Sequence, residues 1–456
     1  MHENFDLEAL LDLVERRQLR QLRQELDSMN EVDIASFLDE LAPEQMLLVF
    51  RLLPKELAAE VFTYLEDSDD QERLINALSD QELREVLNEL YLDDTVDIIE
   101  DMPANVVSRI LRNCDASARS QINQLLNYPK DSAGSIMTTE FVALRPDDTV
   151  ARAFARIRAE GVDKETVYTC YVIRNRVLQG VVTVRRMLLS GEDTRIEDIM
   201  ETNVLSVHTL EDKEVVAQMF SRYDLTALPV VDSDERLIGI VTVDDAMDVL
   251  EEETTEDFEK MAAILPVDKP YLKTGVWETV CSRIPWLLLL MLSATFTGII
   301  LTGFESALAA CVVLTSFIPM LTGTGGNSGS QSSVAVIRAL SLGEAAFSDL
   351  PAVVWKEARV AALCGVGLGA ANFVKMMLVD RLLLNNPEVT IPVALVVCLA
   401  LALTVLCAKV VGCVLPMGAE KLGIDPAVMA SPFITTLVDA ASLVIYFLIS
   451  ANMLSA

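Results

Sequence analysis

The chain has 456 residues, of which 52% are hydrophobic, a mean hydropathy of +0.36 and a formal charge of -32. That length allows two or three domains, the hydropathy puts part of the chain in lipid, and the negative charge excludes nucleic acid and anionic headgroups while concentrating cations near the surface. Of the 68 acidic and 36 basic residues only 10 and 9 lie from Lys273 onward, which leaves 58 acidic against 27 basic in residues 1–272.

Charge and apolarity therefore sit in different halves. Six of the eight cysteines (Cys281, Cys311, Cys364, Cys398, Cys407, Cys413) fall in the apolar half, and Cys114 and Cys170 have no CxxC-type partner, which argues against a disulfide framework or a zinc site. The N-terminus, MHENFDLEALLDLVERR, lacks the basic-then-apolar pattern of a cleaved signal peptide, so the acidic half is expected in the cytoplasm. With two histidines, His2 and His208, and no nucleophile–base pair or phosphate loop, the sequence does not read as an enzyme.

In chain order, residues 1–128 read as short amphipathic helices broken by Pro, Ser and Asp, an all-α superhelical solenoid with a loose repeat. A sharper repeat follows over 129–250. Ile136-Met137-Thr138 opens a stretch ending in GVVTVRR (180–186), and Ile199-Met200 opens one ending in GIVTVDD (239–245), each with a β-rich core before its glycine. Two tandem α/β modules, about 129–193 and 194–250, account for this. Residues 251–275 form an acidic, helix-like connector ending near Pro266 and Pro270. Beyond it, 276–456 carries five apolar stretches, at 284–304, 306–321, 358–379, 391–415 and 431–453, each read as a membrane span. With the N-terminus inside, Arg338, Lys356, Arg359 and Lys421 fall on the cytoplasmic side and the C-terminus outside, in a multi-pass arrangement in the plasma (inner) membrane.

Asp439 stands in the middle of the last span without a base in that segment. A carboxylate at that depth is costly unless it meets water, a cation or a partner, so it marks an ion path; a helix-to-helix hydrogen bond is the alternative. Thr435 and Thr436, four and three residues earlier, share its helix face. The segment PMLTGTGGNSGSQ (319–331) has four glycines among polar residues. Such a segment does not hold a regular lipid-facing helix and must line water or be buried in protein, unless it is a flexible loop.

The module pattern of Ile-Met, an apolar strand and Gly-h-h-Thr-x-x-Asp resembles a pair of cystathionine-β-synthase (CBS) domains. The 319–331 segment, the downstream IRALSLGE (337–344) and PFITTLVDA in the last helix resemble the MgtE magnesium channels, and the order of solenoid, CBS pair and connector matches that family along essentially the whole chain.

The resemblance implies a homodimer in the lipid bilayer, with five spans per chain and Asp439 meeting its symmetry mate in a Mg²⁺ path. Two facing carboxylates suit a largely hydrated octahedral ion. Gly325, Asn327, Thr435 and Thr436 are the expected lining, with Asn372 added for its polarity within a span. The cytoplasmic part is implied to sense Mg²⁺ through Glu60, Asp93 and Asp97 in the solenoid, Asp212, Glu214 and Asp224 in the second module, and Asp245, Asp248, Glu253, Glu256 and Asp257 toward the connector. High internal Mg²⁺ is then expected to bridge these acids and close the path. CBS pairs in many proteins bind adenine nucleotides. Here Thr242 and Asp245 stand at the ribose-binding positions of the second copy, whereas the first has Thr183 with Arg186 in place of the acid, so ATP is the lesser ligand. A secondary transporter coupled to Na⁺ or H⁺ is the competing function.

Overall fold

Caps and prolines set the rhythm of the first 128 residues. Ser79 and Glu82 form a reciprocal capping box at the start of Asp80–Leu87, Asp115 accepts from the Ala118 N–H at 2.6 Å, and Pro54 and Pro103 open Lys55–Thr63 and Ala104–Asn113. The result, in a computed structural model that describes residues 6–454 except 66, 268, 270, 305–310 and 430, is a run of ten short helices from Leu7 to Leu125. Their apolar stripes meet at Leu22, Leu26, Ile34, Phe37, Leu38 and Phe62, all at most 2% exposed. Burying each such side chain contributes about 1.5–3 kcal/mol.

The tandem repeat becomes two three-stranded sheets. In the first, Phe141–Leu144 runs parallel to Thr166–Arg174, which turns back antiparallel along Val177–Thr183; in the second, Val207–His208, Ala227–Val231 and Leu237–Thr242 repeat that order. Each module lends its lead-in to the other: Thr138 pairs with Ile240, and Glu201 with Val181. This exchange explains the repeat's glycines. A Cβ on Gly239 would lie 2.6 Å from the Thr138 carbonyl oxygen, and one on Gly180 2.6 Å from that of Glu201.

Two bodies result. One comprises the residues up to Glu252 with Lys269–Lys273; the other comprises Glu253–Asp268 and everything from Thr274. The acidic connector helix is Val243–Met261, so it starts inside the second module and stops well before Pro266, earlier at both ends than the 251–275 expected.

Among the described residues the second body holds five long helices: Val276–Gly303, Ile318–Ser341, Leu350–Lys375 with a π-helical extension Met376–Leu383, Ile391–Lys421 and Ser431–Leu454. Among the described residues, four regions are long and apolar enough to cross a membrane, namely Val276–Gly303, Phe347–Leu383, Ile391–Lys421 and Pro426–Met453. The expected span at 306–321 is not among them. Residues 305–310 lie outside the described set, Val312–Phe317 is a 3₁₀ turn, and a new helix begins at Ile318.

That helix, Ile318–Ser341, contains the whole glycine-rich segment, so the segment is a regular helix. It escapes the cost of exposed backbone by burial: Leu321, Gly325, Gly326, Ser328, Gly329, Ser332 and Ser333 are enclosed by neighbouring helices.

Candidate ion path and cation sites

Glycine decides how closely the bundle packs. A Cβ on Gly325 would lie 2.7 Å from Thr404 Cγ2, one on Gly326 2.8 Å from Thr435 Cγ2, one on Gly329 2.8 Å from Ile434 Cγ2, and one on Gly412 would run into the Gly329 carbonyl oxygen. The glycine-rich helix thus lies backbone against backbone on Ile391–Lys421 and presses into the first half of the last helix.

Asp439 stands one residue past Val438, whose methyl groups pack on Gly325 and Gly329. Its carboxylate is half-buried, and its Oδ1 is enclosed without a hydrogen-bond partner among the described residues. An unpaired carboxylate oxygen in an apolar bundle is the feature a cation would satisfy.

The expected lining divides. Gly325, Gly326 and Thr435 come together beside the helix of Asp439. The Thr436 hydroxyl donates to the Pro432 carbonyl at 3.1 Å, within its own helix, and Asn327 is exposed. Asn372 is buried, with its amide against Met376 Sδ (3.5 Å) and Cys398 Sγ (3.6 Å), on a different side of Ile391–Lys421 from Gly325.

Sequence reading missed a charged network inside the same bundle. Lys409, 5% exposed, donates to Ser332 Oγ at 3.2 Å and lies 3.7 Å from Glu357 Oε2, while the Ser332 hydroxyl donates to that same oxygen at 2.5 Å. It joins three helices. A lysine within the apolar run 391–415 was the available signal.

The connector's second half docks on the bundle. The Ser341 hydroxyl, at the end of the glycine-rich helix, donates to Asp257 Oδ2 at 3.4 Å. Lys260 bridges Glu256 (2.8 Å) and Asp425 (2.7 Å), the latter just before the last helix. Met261 packs on buried Ile337 and Ala427. Burial, and then the charge of Asp425, pushes the Asp257 carboxyl above its ordinary range.

The connector's first half borders an acidic cavity of about 240 Å³ in the other body. Asp93, Asp97, Glu100 and Asp101 of the solenoid face Asp245, Asp248 and Glu252 there, with Lys130 and Lys213 as counterions that pair with Glu100 (3.1 Å) and Glu252 (3.2 Å). The arrangement is strained electrostatically. Burial, and then the charge of Asp245, raises the Asp93 carboxyl well above its ordinary range and lifts Asp94 to about 6; Asp245 itself is lifted by burial to about 6.

Other sensor candidates lie elsewhere. Glu60 is exposed on the solenoid. Asp212 caps the helix Lys213–Tyr223 by accepting from the Glu214 N–H at 2.9 Å, Glu214 accepts from the Gln218 amide, and Asp224 ends that helix in a left-handed conformation (φ 52°), exposed. Glu253 is half-buried on the connector.

Thr242 and Asp245 also serve locally: the Thr242 hydroxyl donates to Asp245 Oδ2 at 2.5 Å, fixing the entry to the connector helix. In the first copy Thr183 instead accepts from the Arg186 N–H at 3.2 Å, and Arg186 is exposed.

Comparison with known proteins follows this division. Residues 29–131 match the MgtE intracellular N domain, 133–191 and 196–252 match CBS domains, and 318–449 match the MgtE divalent cation transporter domain. The magnesium transporter MgtE of Thermus thermophilus is 37% identical over 98% of both chains, and that of Bacillus subtilis is 33% identical over 91% of this chain and 92% of its own. A solved structure of the cytosolic domain of the Mg²⁺ channel MgtE in complex with ATP aligns with TM-score 0.51 and 36% identity, covering 54% of this chain and all of its own. These relatives are named transporters, not enzymes, and Mg²⁺ is the ion they carry. From the N-terminal helical domain through the CBS pair to the apolar helices, the chain belongs to the MgtE family of magnesium transporters.

Proposed function

We propose that the chain is a Mg²⁺-selective channel of the plasma membrane, shut by Mg²⁺ bound to its cytoplasmic acids. The observation that carries this reading is the connector helix Val243–Met261. Its first half supplies Asp245 and Asp248 to the acidic cavity, and its second half holds Ser341 and Asp425 at the ends of the helices that carry the glycine-rich segment and Asp439.

At low internal Mg²⁺ the carboxylates repel one another and loosen the cytoplasmic body. Bound Mg²⁺ removes that repulsion and pins the connector, which holds the helix ends closed. In the path, Asp439 and its mate in a homodimer face a hydrated ion, with Thr435 touching the water shell. The glycine-rich helix is then the fifth span, since 24 residues cover about 36 Å at 1.5 Å per residue. Five crossings from a cytoplasmic N-terminus leave the C-terminus outside.

The ATP bound by the solved relative suggests a second cytoplasmic ligand here, held near Thr242 and Asp245. Recording single-channel currents with Mg²⁺ on one side tests the channel reading. Unitary currents that vanish as Mg²⁺ is raised on the cytoplasmic face are expected; saturable uptake strictly coupled to Na⁺ or H⁺ without unitary currents contradicts it.

A further inference from the structure

The charged network inside the bundle has no part in the ion path or the cytoplasmic cavity. Its members come from three helices: Ser332 from the glycine-rich helix Ile318–Ser341, Glu357 from Leu350–Lys375 and Lys409 from Ile391–Lys421. The Ser332 hydroxyl is its centre, donating to Glu357 Oε2 at 2.5 Å and accepting from Lys409 Nζ at 3.2 Å, with the two charges 3.7 Å apart. Ser332 is 1% exposed and Lys409 5%.

Two opposite charges at this depth regain by mutual attraction only part of what they lose in leaving water, so the pair is a poor device for stability alone. What it supplies is a fixed geometry. The glycine-rich helix lacks one of its own, because it meets its neighbours through Gly325, Gly326 and Gly329, and a face without side chains has no ridges to set its rotation or its height. Ser333, also buried, offers no second tie, since its hydroxyl has no partner among the described residues.

Ser332 lies seven residues beyond Gly325, which puts it within about 20° of the same helix face and about 10 Å further along the axis. A rotation or slide at Ser332 therefore carries Gly325 and Gly326 with it. Those glycines pack on Val438 and Thr435, on either side of the turn that leads to Asp439.

We propose that Lys409 and Glu357 are positioning residues for Mg²⁺ passage, which through Ser332 pin the glycine-rich helix in the register that sets it against the helix of Asp439. This positioning rests on the ion path proposed above. The pair acts as a unit. A hydroxyl has one proton and two lone pairs, so Ser332 serves an acceptor and a donor at once, and opposite charges on its two sides use both. Exchanging the charges keeps that pattern; neutralising both removes it without leaving either charge unpaired.

Mg²⁺ uptake against external Mg²⁺, measured on the full-length protein in cells without other importers and at matched surface expression, tests this, with thermal unfolding of the same variants alongside. Lys409→Met/Glu357→Gln is expected to melt near wild type yet to need about tenfold more Mg²⁺ for half-maximal uptake, the equivalent of about one charge-assisted hydrogen bond. Lys409→Glu/Glu357→Lys is expected to return half-saturation to near the wild-type value. Ser332→Ala keeps the charged pair but frees the glycine-rich helix from it, and is expected to shift half-saturation as the neutral pair does; it decides the matter if either double variant fails to fold. A merely structural tie would lower melting and leave half-saturation unmoved, and wild-type half-saturation in Ser332→Ala overturns the proposal. So does a charge-exchanged variant that folds without regaining half-saturation. Asp439→Ala separates the two readings: if it takes up Mg²⁺ like wild type, the path falls and the positioning with it, whereas if it is inactive while Ser332→Ala matches wild type, the positioning alone is wrong.

Discussion

Replacing Asp245 with Asn removes one charge from the cavity without changing its shape. Burial lifts this carboxyl from 3.8 to about 6, so keeping it ionised at neutral pH costs about 3 kcal/mol, at about 1.4 kcal/mol per pH unit. The folded protein holds this proton more tightly than the unfolded chain does. Its contribution is therefore fully present below about pH 4 and is lost as pH rises through about 6. Asn keeps an acceptor for the Thr242 hydroxyl, and the hydrogen bond that the carboxylate accepts there is already counted in the shift. The variant should consequently be about 3 kcal/mol more stable than wild type at pH 8 in EDTA. It should lose most of that advantage by about pH 4 and gain less on adding Mg²⁺. Thermal unfolding of the full-length protein across this pH range measures all three. A variant that is less stable than wild type at pH 8 in EDTA, with an unchanged response to Mg²⁺, refutes the reasoning.

Three further outcomes follow from the packing. Lys409→Met leaves the part-buried Glu357 carboxylate without its cation and should cost about 3 kcal/mol, with much of the loss recovered in Lys409→Met/Glu357→Gln; heating followed by size exclusion reads both. Gly412→Ala forces the two touching backbones apart and should cost at least 1–3 kcal/mol by estimates of about that size for overpacking, whereas Gly298→Ala, with open space around it, should be silent in the same assay. Lys260→Ala sets Glu256 and Asp425 against each other where they had shared a cation. It should leave Mg²⁺ flux intact at low internal Mg²⁺ and weaken closure at high internal Mg²⁺, and unchanged closure would remove the connector contact from the gating account.

How much of this was legible in the sequence depends on distance along the chain. The two modules were readable because their glycines answer a local need, the close approach of Thr138 and Glu201 to the partner strand. Asp439 was readable because a single charge inside an apolar run needs no partner to be noticed. The glycine-rich segment was readable as buried in protein or lining water, and it is buried, but its composition did not show that it is helical. Glycine costs about 1 kcal/mol per residue in a helix, and only the tertiary fit against Thr404, Thr435 and Gly412 reverses that preference.

The ion pair Lys409–Glu357 joins residues dozens of positions apart, and no periodicity reports such a pairing. Among 58 cytoplasmic acids the family resemblance pointed to Asp93, Asp97, Asp245 and Asp248, which the fold gathers around one cavity. It also pointed to Asp212 and Asp224, which lie at opposite ends of one helix.

The account rests on Asp439 as the place where the ion meets the protein. Mg²⁺ uptake by Asp439→Ala in cells lacking every other Mg²⁺ importer, with surface expression matched to wild type, tests this most directly. Growth at low Mg²⁺ should fail and uptake should drop to the background of empty cells, while Lys260→Ala in parallel sustains growth. Growth of Asp439→Ala equal to wild type would contradict the central claim.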